Sequence, residues 1–155
     1  MKTVIVYAST HHGNTKKLLE AIAERNDVDL VDVIANARYD LSGYDRIGIA
    51  SGIAFGKYYP QMLKFLEGNL PEGKDVFYIH TAGDPKENHA DSAKSIAAGR
   101  NCHSLGVYYC KGFDTFGPFK LIGGINKHHP DEDEIKQAVR FYESYLNNRC
   151  ALTEH

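Results

Sequence analysis

The sequence predicts a doubly wound α/β fold, in which a parallel sheet of five strands is covered by helices on both faces. Two observations support this prediction: five short apolar runs have the length of strands, and segments with helical spacing of apolar residues lie between them. Alternating strands and helices form right-handed crossover units, which bury a parallel sheet on both sides. Because the chain shows no repeat or linker, residues 1–155 are predicted to form a single domain.

The predicted strands are rich in β-branched and aromatic residues. They are Thr3 to Ala8, Val28 to Ile34, Arg46 to Ala50, Asp75 to His80 and Leu105 to Cys110. Helical stripes follow the first, third and fourth strands, and the clearest stripe, Ile135 to Leu146, lies behind an acidic start at Asp131 to Glu134 that suits a helix N-terminus. The segment from Lys111 to Pro130 has no clear period, and loops of this length are often functional.

Composition disfavours several classes of protein. A formal net charge of -2, with 43% hydrophobic and 25% charged residues, is typical of a globular protein without a nucleic-acid partner. Three cysteines without C-x-x-C spacing indicate neither a disulfide framework nor a zinc site. Since no leader-like segment or long apolar stretch is present, we expect a cytoplasmic protein that does not bind membranes.

The first strand runs into Ser9-Thr10-His11-His12-Gly13-Asn14-Thr15, where open parallel sheets bind their ligands. Gly13 lets the backbone turn close to a ligand, and Asn14 or Thr15 is expected to cap the following helix. The free N–H groups and positive dipole end of that helix favour a phosphate, and the hydroxyls of the loop add donors. The alternative is a capped turn that binds no ligand.

Two other nucleotide-binding loops do not match. Gly52 to Lys57 has three residues between its glycines where a P-loop has four, and Tyr58 replaces the hydroxyl residue that would hold magnesium. No G-x-G-x-x-G follows the first strand. The first loop therefore indicates a monophosphate held by N–H groups and hydroxyls.

These residues resemble the phosphate loop of flavodoxins, usually written S-x-T-G-N-T, although the loop here is one residue longer because His11 and His12 precede Gly13. The resemblance covers nearly the full chain and implies a flavodoxin-like sheet of order 2-1-3-4-5 with FMN as the cofactor. Ser51 to Tyr58 and Thr81 to Asp84 stand at the two flavin loops. By this resemblance the cofactor-binding residues are Ser9, Thr10, His11, His12, Gly13, Asn14, Thr15, Ser51, Gly52, Ile53, Ala54, Phe55, Gly56, Lys57, Thr81, Ala82 and Gly83.

The flavin loops depart from the family pattern in two respects. The chain has no Trp, so Phe55 and Tyr58 are the aromatic candidates beside the ring, with Phe113 or Phe116 possible from the long loop. Phe55 could equally pack under its own loop. The resemblance assigns to Gly56 the peptide that flips on flavin reduction, which requires positive φ.

A lysine follows that glycine where flavodoxins commonly have an acid. A positive charge at Lys57 would favour an anionic reduced flavin by about 1 kcal/mol or more, and it predicts a less negative potential than in a typical flavodoxin. A solvated surface lysine is the alternative.

The eight histidines include the pairs His11-His12 and His128-His129. Side chains of adjacent residues diverge, so we predict no metal site from either pair.

Two functions stay open. The resemblance implies an electron carrier between redox partner proteins, in which the flavin does the chemistry and no catalytic side chain is required. An NAD(P)H-dependent FMN or quinone reductase, or a flavodoxin-like dehydrogenase, is the alternative, and the mild net charge of -2 favours it because flavodoxin carriers are usually strongly acidic. A receiver domain lacks its paired acids here, and a low-molecular-weight tyrosine phosphatase lacks its cysteine in the first loop.

Overall fold

The computed structural model describes residues 1–10, 13–113 and 123–153, and side chains as far as Tyr145. Its strands are β1 (Thr3–Ala8), β2 (Asp29–Asp32), β3 (Arg46–Ala54), β4 (Lys57–Tyr58), β5 (Asp75–Ala82) and β6 (His103–Lys111). Five of them form a parallel sheet in the order β2-β1-β3-β5-β6, and β4 pairs antiparallel with β3. The predicted order 2-1-3-4-5 is confirmed, since the two-residue β4 is an addition to the edge of one loop.

Helices cover both faces of this sheet. They are α1 (Asn14–Arg25), α2 (Pro60–Asn69), α3 (Asp91–Gly99), which follows a 3-10 turn at Glu87–Ala90, and α4 (Glu132–Thr153). The helices α1 and α4 pack on one face and α2 and α3 on the other, each pair over its own hydrophobic core. Among the described residues, no helix has both the length and the apolar character that crossing a membrane requires.

The strand β1 shows why the sheet is buried on both sides. Val4 and Val6 belong to the core under α2, while Ile5 belongs to the core under α1, and all three are fully buried. Successive side chains of a strand point to opposite faces, so a continuous apolar run is the pattern that a doubly covered strand requires.

Of the five predicted strands, only the first keeps both of its bounds, and the fourth continues to Ala82. The second strand ends at Asp32, whose Oδ1 accepts a hydrogen bond from the Ile34 N–H at 2.9 Å and starts a turn. The third strand continues to Ala54 because its last residues pair with β4. The last strand begins at His103, which pairs with Asp75.

The register brings the carboxyl ends of the strands together. Ala8 of β1 pairs with Ser51 of β3, and Gly52 of β3 pairs with Thr81 of β5. The loops after β1, β3 and β5 therefore leave the same edge of the sheet, as the sequence predicts for a ligand site.

Candidate functional site

A narrow cleft lies where these loops meet. Its lining comes from the loop after β1, the ends of β3 and β5, the start of α2 and the residue Phe113 after β6. The lining residues are Ser9, Asn14, Thr15, Gly52, Ile53, Tyr59, Thr81, Ala82, Gly83 and Phe113. Its enclosed volume is about 20 Å³, room for about one water molecule, so a larger ligand would lie across the mouth or separate the loops.

The loop after β1 turns into α1 at Gly13. This residue has φ +65° and ψ 24°, the left-handed conformation that glycine adopts at little cost, and it occupies the N-cap position. The Lys16 N–H donates a hydrogen bond to Ser9 Oγ at 3.3 Å. The first N–H groups of a helix have no carbonyl partner within it, so this end of α1 is suited to bind an anion. His11 and His12 lie outside the described residues.

The expectation that Asn14 or Thr15 caps α1 is wrong. Both residues lie inside the first turn of the helix and are buried, and the N-cap position is occupied by Gly13, which has no side chain. Thr15 Oγ1 instead lies 2.9 Å from Thr81 Oγ1, and this hydrogen bond ties the start of α1 to the end of β5. The two threonines contribute to the cleft through a shared buried contact.

Asn14 carries an unsatisfied polar atom in the cleft. Its Nδ2 donates a hydrogen bond to the Phe113 carbonyl at 2.8 Å, which fixes the orientation of the amide. Its Oδ1 is buried and has no hydrogen-bond partner among the described residues. Leaving a buried acceptor unpaired costs about 1–3 kcal/mol. A ligand that brings a hydroxyl or N–H donor into the cleft would remove that cost.

The two-residue turn between β3 and β4 forms a hairpin tip beside the cleft. Ala54 pairs with Lys57 across it, and Phe55 and Gly56 have φ of +54° and +75°, as in a type I′ turn. Gly56 therefore has the positive φ that its predicted role needs. The left-handed conformation costs a residue with a side chain roughly 1–2 kcal/mol. Phe55 carries this strain while its ring is fully exposed, so it does not pack under its loop.

Ser51 and Gly52, which precede the hairpin, pack against Tyr59, which follows it. Ser51 is buried and does not line the cleft, since its Oγ accepts the Tyr59 N–H at 3.0 Å and donates to the Gly52 carbonyl at 2.6 Å. A Cβ at Gly52 would lie 2.5 Å from the Tyr59 hydroxyl oxygen, so glycine is required here for the close approach of the ring.

Thr10, Ala54, Phe55 and Lys57 border a second groove, of about 450 Å³, on the other side of the hairpin. Lys57 is exposed there. The structure thus brings eight of the predicted residues into the cleft and four into the groove beside it.

A buried histidine, which sequence reasoning missed, connects β4 with the loop after β5. The His80 Nε2 donates to the Lys86 carbonyl at 2.7 Å, so its Nδ1 is unprotonated and accepts the Tyr58 hydroxyl at 3.0 Å. The Tyr109 ring stacks on the imidazole, with 5.4 Å between the ring centroids. Burial lowers the pKa of His80 to about 4 and raises the pKa of Tyr58 well above its usual range, so both are neutral near pH 7. The available signal was a histidine inside an otherwise apolar strand.

The segment after β6 makes two hydrogen bonds to the end of β5 and the residue that follows it. The Gly112 N–H donates to the Ala82 carbonyl at 2.9 Å, and Asn126 Nδ2 donates to the Gly83 carbonyl at 2.7 Å. The described parts of the Lys111 to Pro130 segment therefore have a structural role at the cleft. Phe116 lies outside the described residues.

His129, Asp131 and Glu134 place three potential ligand atoms within 4.8 Å of one another. Their contacts are those of a helix cap. The Glu134 N–H donates to Asp131 Oδ1 at 2.9 Å, the Asp131 N–H donates to Glu134 Oε1 at 3.0 Å, and the His129 ring contacts the same carboxylate. This reciprocal pattern is a capping box at the start of α4.

The sequence of the chain matches a known family and a known relative. Residues 4–99 match the family model described as a flavodoxin domain. Uncharacterized protein MJ0298 of Methanocaldococcus jannaschii is 39% identical over 150 residues, which cover 96% of this chain and 100% of that protein.

Two solved structures show the same fold. A WrbA-like flavodoxin from Agrobacterium tumefaciens has a TM-score of 0.72 at 15% identity, over 97% of this chain and 98% of its own. Flavodoxin 2 from Bacillus cereus has a TM-score of 0.69 at 18% identity, over 96% and 99%. The family model covers more than half of the residues, and on that match the chain belongs to the flavodoxin family.

Proposed function

We propose that this chain is a cytoplasmic FMN-binding protein that carries electrons between redox partner proteins. The observation that carries the proposal is the meeting of three loop regions in one cleft: the N-terminus of α1, the β3 end and the β5 end. These are the places at which the family resemblance puts the phosphate and the flavin ring.

The donor set of the cleft suits FMN. The N-terminal N–H groups of α1 after Gly13, with the hydroxyl of Ser9, would hold the phosphate. Asn14 Oδ1, the buried unpaired acceptor, would receive a hydrogen bond from a hydroxyl of the ribityl chain. Thr15 would contribute its N–H group, because its hydroxyl is bonded to Thr81.

FMN, when bound, supplies the one-electron and two-electron chemistry, and the polypeptide positions it and tunes its potential. The ring would lie between the hairpin tip and the Ala82–Gly83 loop. His80 links the hairpin to the loop after β5, because it forms hydrogen bonds with Tyr58 of β4 and with the Lys86 carbonyl at the same time. Lys57 adds an exposed positive charge at the same rim.

The exposed hairpin tip favours a carrier. Phe55 has a strained backbone conformation and a ring exposed to solvent beside the cleft. Strained residues cluster at functional sites, and aromatic residues are common anchors of protein interfaces. Phe55 would then contact the partner at the point where electrons leave.

One observation favours an NAD(P)H-dependent reductase as the second candidate. The groove of about 450 Å³ beside Phe55 and Lys57 is within the size range of small-molecule sites. A nicotinamide nucleotide that entered it would reach the same rim of the cleft.

An anaerobic absorbance titration with FMN, then with NADPH and NADH, separates these functions. Flavin bands that stay unbleached by both nucleotides, and then bleach with a protein donor, support the carrier. Rapid bleaching by either nucleotide indicates the reductase. No perturbed flavin spectrum at micromolar FMN would contradict both.

A further inference from the structure

Two adjoining grooves run along α2 on the surface of the protein. The first, of about 450 Å³, begins at Phe55 and Lys57, and the second, of about 730 Å³, lies between the same helix and the segment after β2. Gln61 lines both, so they form one surface, which we call the α2 groove. It extends from the hairpin tip to Arg38.

The charged residues of the α2 groove are all cationic. They are Arg38, Lys57 and Lys64, and no carboxylate lines either part. Within the part of the chain that the structure describes, the three cations make no ion pair. A lining that holds three positive charges and no carboxylate stands out in a chain whose formal net charge is -2.

Three carboxylates stand near these cations in sequence, Asp32, Asp40 and Glu67, and none of them lines the groove. Asp32 Oδ1 accepts the Ile34 N–H at 2.9 Å, and Asp40 Oδ1 accepts both the N–H and the hydroxyl of Ser42. The two hydrogen bonds from Ser42 lower the pKa of Asp40. Glu67 is exposed on α2, three residues after Lys64. None of these carboxylates makes an ion pair with a cation of the groove among the described residues.

Exposed apolar groups accompany these cations. The Phe55 ring is fully exposed and Ile34 is 44% exposed, while Leu63 and Phe65 contribute apolar surface to the walls. Aromatic residues and arginine are enriched in protein interfaces, and complementary charge steers a partner onto its site. A protruding aromatic tip next to a concave cationic surface therefore fits an acidic protein better than a nucleic acid, which needs a broader set of phosphate contacts.

We propose that the α2 groove is the docking site for a redox partner with an acidic face. The inference rests on the proposed function, because the groove begins at the rim of the FMN cleft. In the complex one electron passes from the reduced flavin to a one-electron centre of the partner, or in the reverse direction. The donor is oxidised, the acceptor is reduced, and no atom is transferred. The charges of the two surfaces, cationic on this chain and acidic on the partner, are the reverse of those of a strongly acidic carrier that docks on basic partners.

The test uses a charge-reversed groove and a matched control. The groove variant carries Arg38→Glu and Lys64→Glu, and Lys57 stays unchanged because it also lies at the flavin rim. The control carries Lys136→Glu and Arg140→Glu, which are exposed on α4 at the opposite face of the sheet and change the net charge equally. The probes are an oxidised rubredoxin, a small acidic iron protein, and cytochrome c, a basic one.

Stopped-flow mixing of the FMN-loaded, reduced protein with each probe measures the second-order rate constant of electron transfer. At low ionic strength the groove variant should react with rubredoxin at least 10-fold more slowly than the wild type, since steering changes association rates by about 10- to 1,000-fold. The control should change by less than about 2-fold, and 0.5 M salt should remove most of the difference. Equal slowing in both variants, or slowing only with cytochrome c, would overturn the proposal.

A binding measurement keeps this test separate from the proposed function. Amide shifts of the labelled chain on addition of rubredoxin, recorded with and without FMN, should map to the α2 groove and weaken in the groove variant. If FMN does not bind, the proposed function fails, yet these shifts still decide whether the groove accepts an acidic protein. Shifts in the groove with an RNA oligonucleotide and none with rubredoxin would replace the proposal with a nucleic-acid site.

Discussion

The cleft has a buried side, where side chains are hydrogen-bonded to one another and to the backbone, and an exposed side, where an aromatic side chain faces solvent. On the buried side Thr15 bonds Thr81, and Asn14 bonds the Phe113 carbonyl. On the exposed side Phe55 holds a strained backbone conformation and its ring is fully exposed. The contrast teaches that one side is organised to hold a ligand and the other to meet a partner, so mutations on the two sides should have different effects.

The largest effect is expected at His80, which lies under the buried side. Its pKa is about 4 in the folded protein, against 6.5 in the unfolded chain. The unfolded chain therefore takes up the proton first as the pH falls. Stability is complete above about pH 6.5 and decreases towards pH 4, by about 3 kcal/mol in total.

Urea unfolding at several pH values tests this expectation. His80→Phe should be less stable than the wild type at pH 7, because the Tyr58 hydroxyl and the Lys86 carbonyl lose their partner. The difference in the free energy of unfolding between the two proteins should become smaller towards pH 4. The control is His128→Phe, an exposed substitution that leaves the contacts of His80 unchanged. A difference in the free energy of unfolding that stays constant across the whole pH range would contradict the lowered pKa of His80.

The next effect tests the buried side directly. Asn14→Asp removes the donor to the Phe113 carbonyl and places a negative charge where the phosphate is proposed to bind. We expect the dissociation constant for FMN to rise about 100-fold, or about 2.7 kcal/mol. Asn26→Asp introduces the same charge at the other end of α1 and should leave the dissociation constant within about 3-fold. Fluorescence titration measures both, and equal losses would point to a general charge effect.

Phe55→Asn tests the strain on the exposed side. The change creates Asn-Gly, the preferred sequence of a type I′ turn, and should raise the free energy of unfolding by about 1 kcal/mol. The dissociation constant for FMN should change little, while electron transfer to a protein partner should slow. A fall in stability would show that the Phe55 ring makes contacts that the hairpin needs.

The smallest effect concerns Lys57. Replacement by Asp should lower the potential of the anionic reduced flavin by about 40 mV, which corresponds to about 1 kcal/mol for one electron. The exposed Lys136→Asp on α4 is the control. Equilibrium reduction against dyes of known potential gives both values, and a potential that does not move would leave Lys57 as a surface lysine.

The sequence predicted the sheet because strands covered on both faces become continuous apolar runs. It also placed Gly13 and the loops after β3 and β5 at one edge of the sheet, since carboxyl ends of parallel strands share one edge. It failed where contacts join distant residues. Asn14 and Thr15 were expected to cap a helix, but their side chains bond Phe113 and Thr81, which are 99 and 66 residues away.

The His80 network and the exposure of Phe55 were missed for a related reason. His80 has partners in β4 and after β5, and their approach depends on the pairing of strands. The hairpin that exposes Phe55 depends on Ala54 pairing with Lys57. Local periodicity contains neither fact.

FMN titration of the isotopically labelled chain, followed by its amide signals, tests the central claim most directly. The account predicts saturable one-to-one binding at micromolar or lower FMN, with the largest shifts at Gly13, Asn14, Thr15 and Gly83. Riboflavin, which lacks the phosphate, should bind more weakly and leave Gly13 less affected. No saturable shift, or shifts confined to residues outside the cleft, would contradict the account.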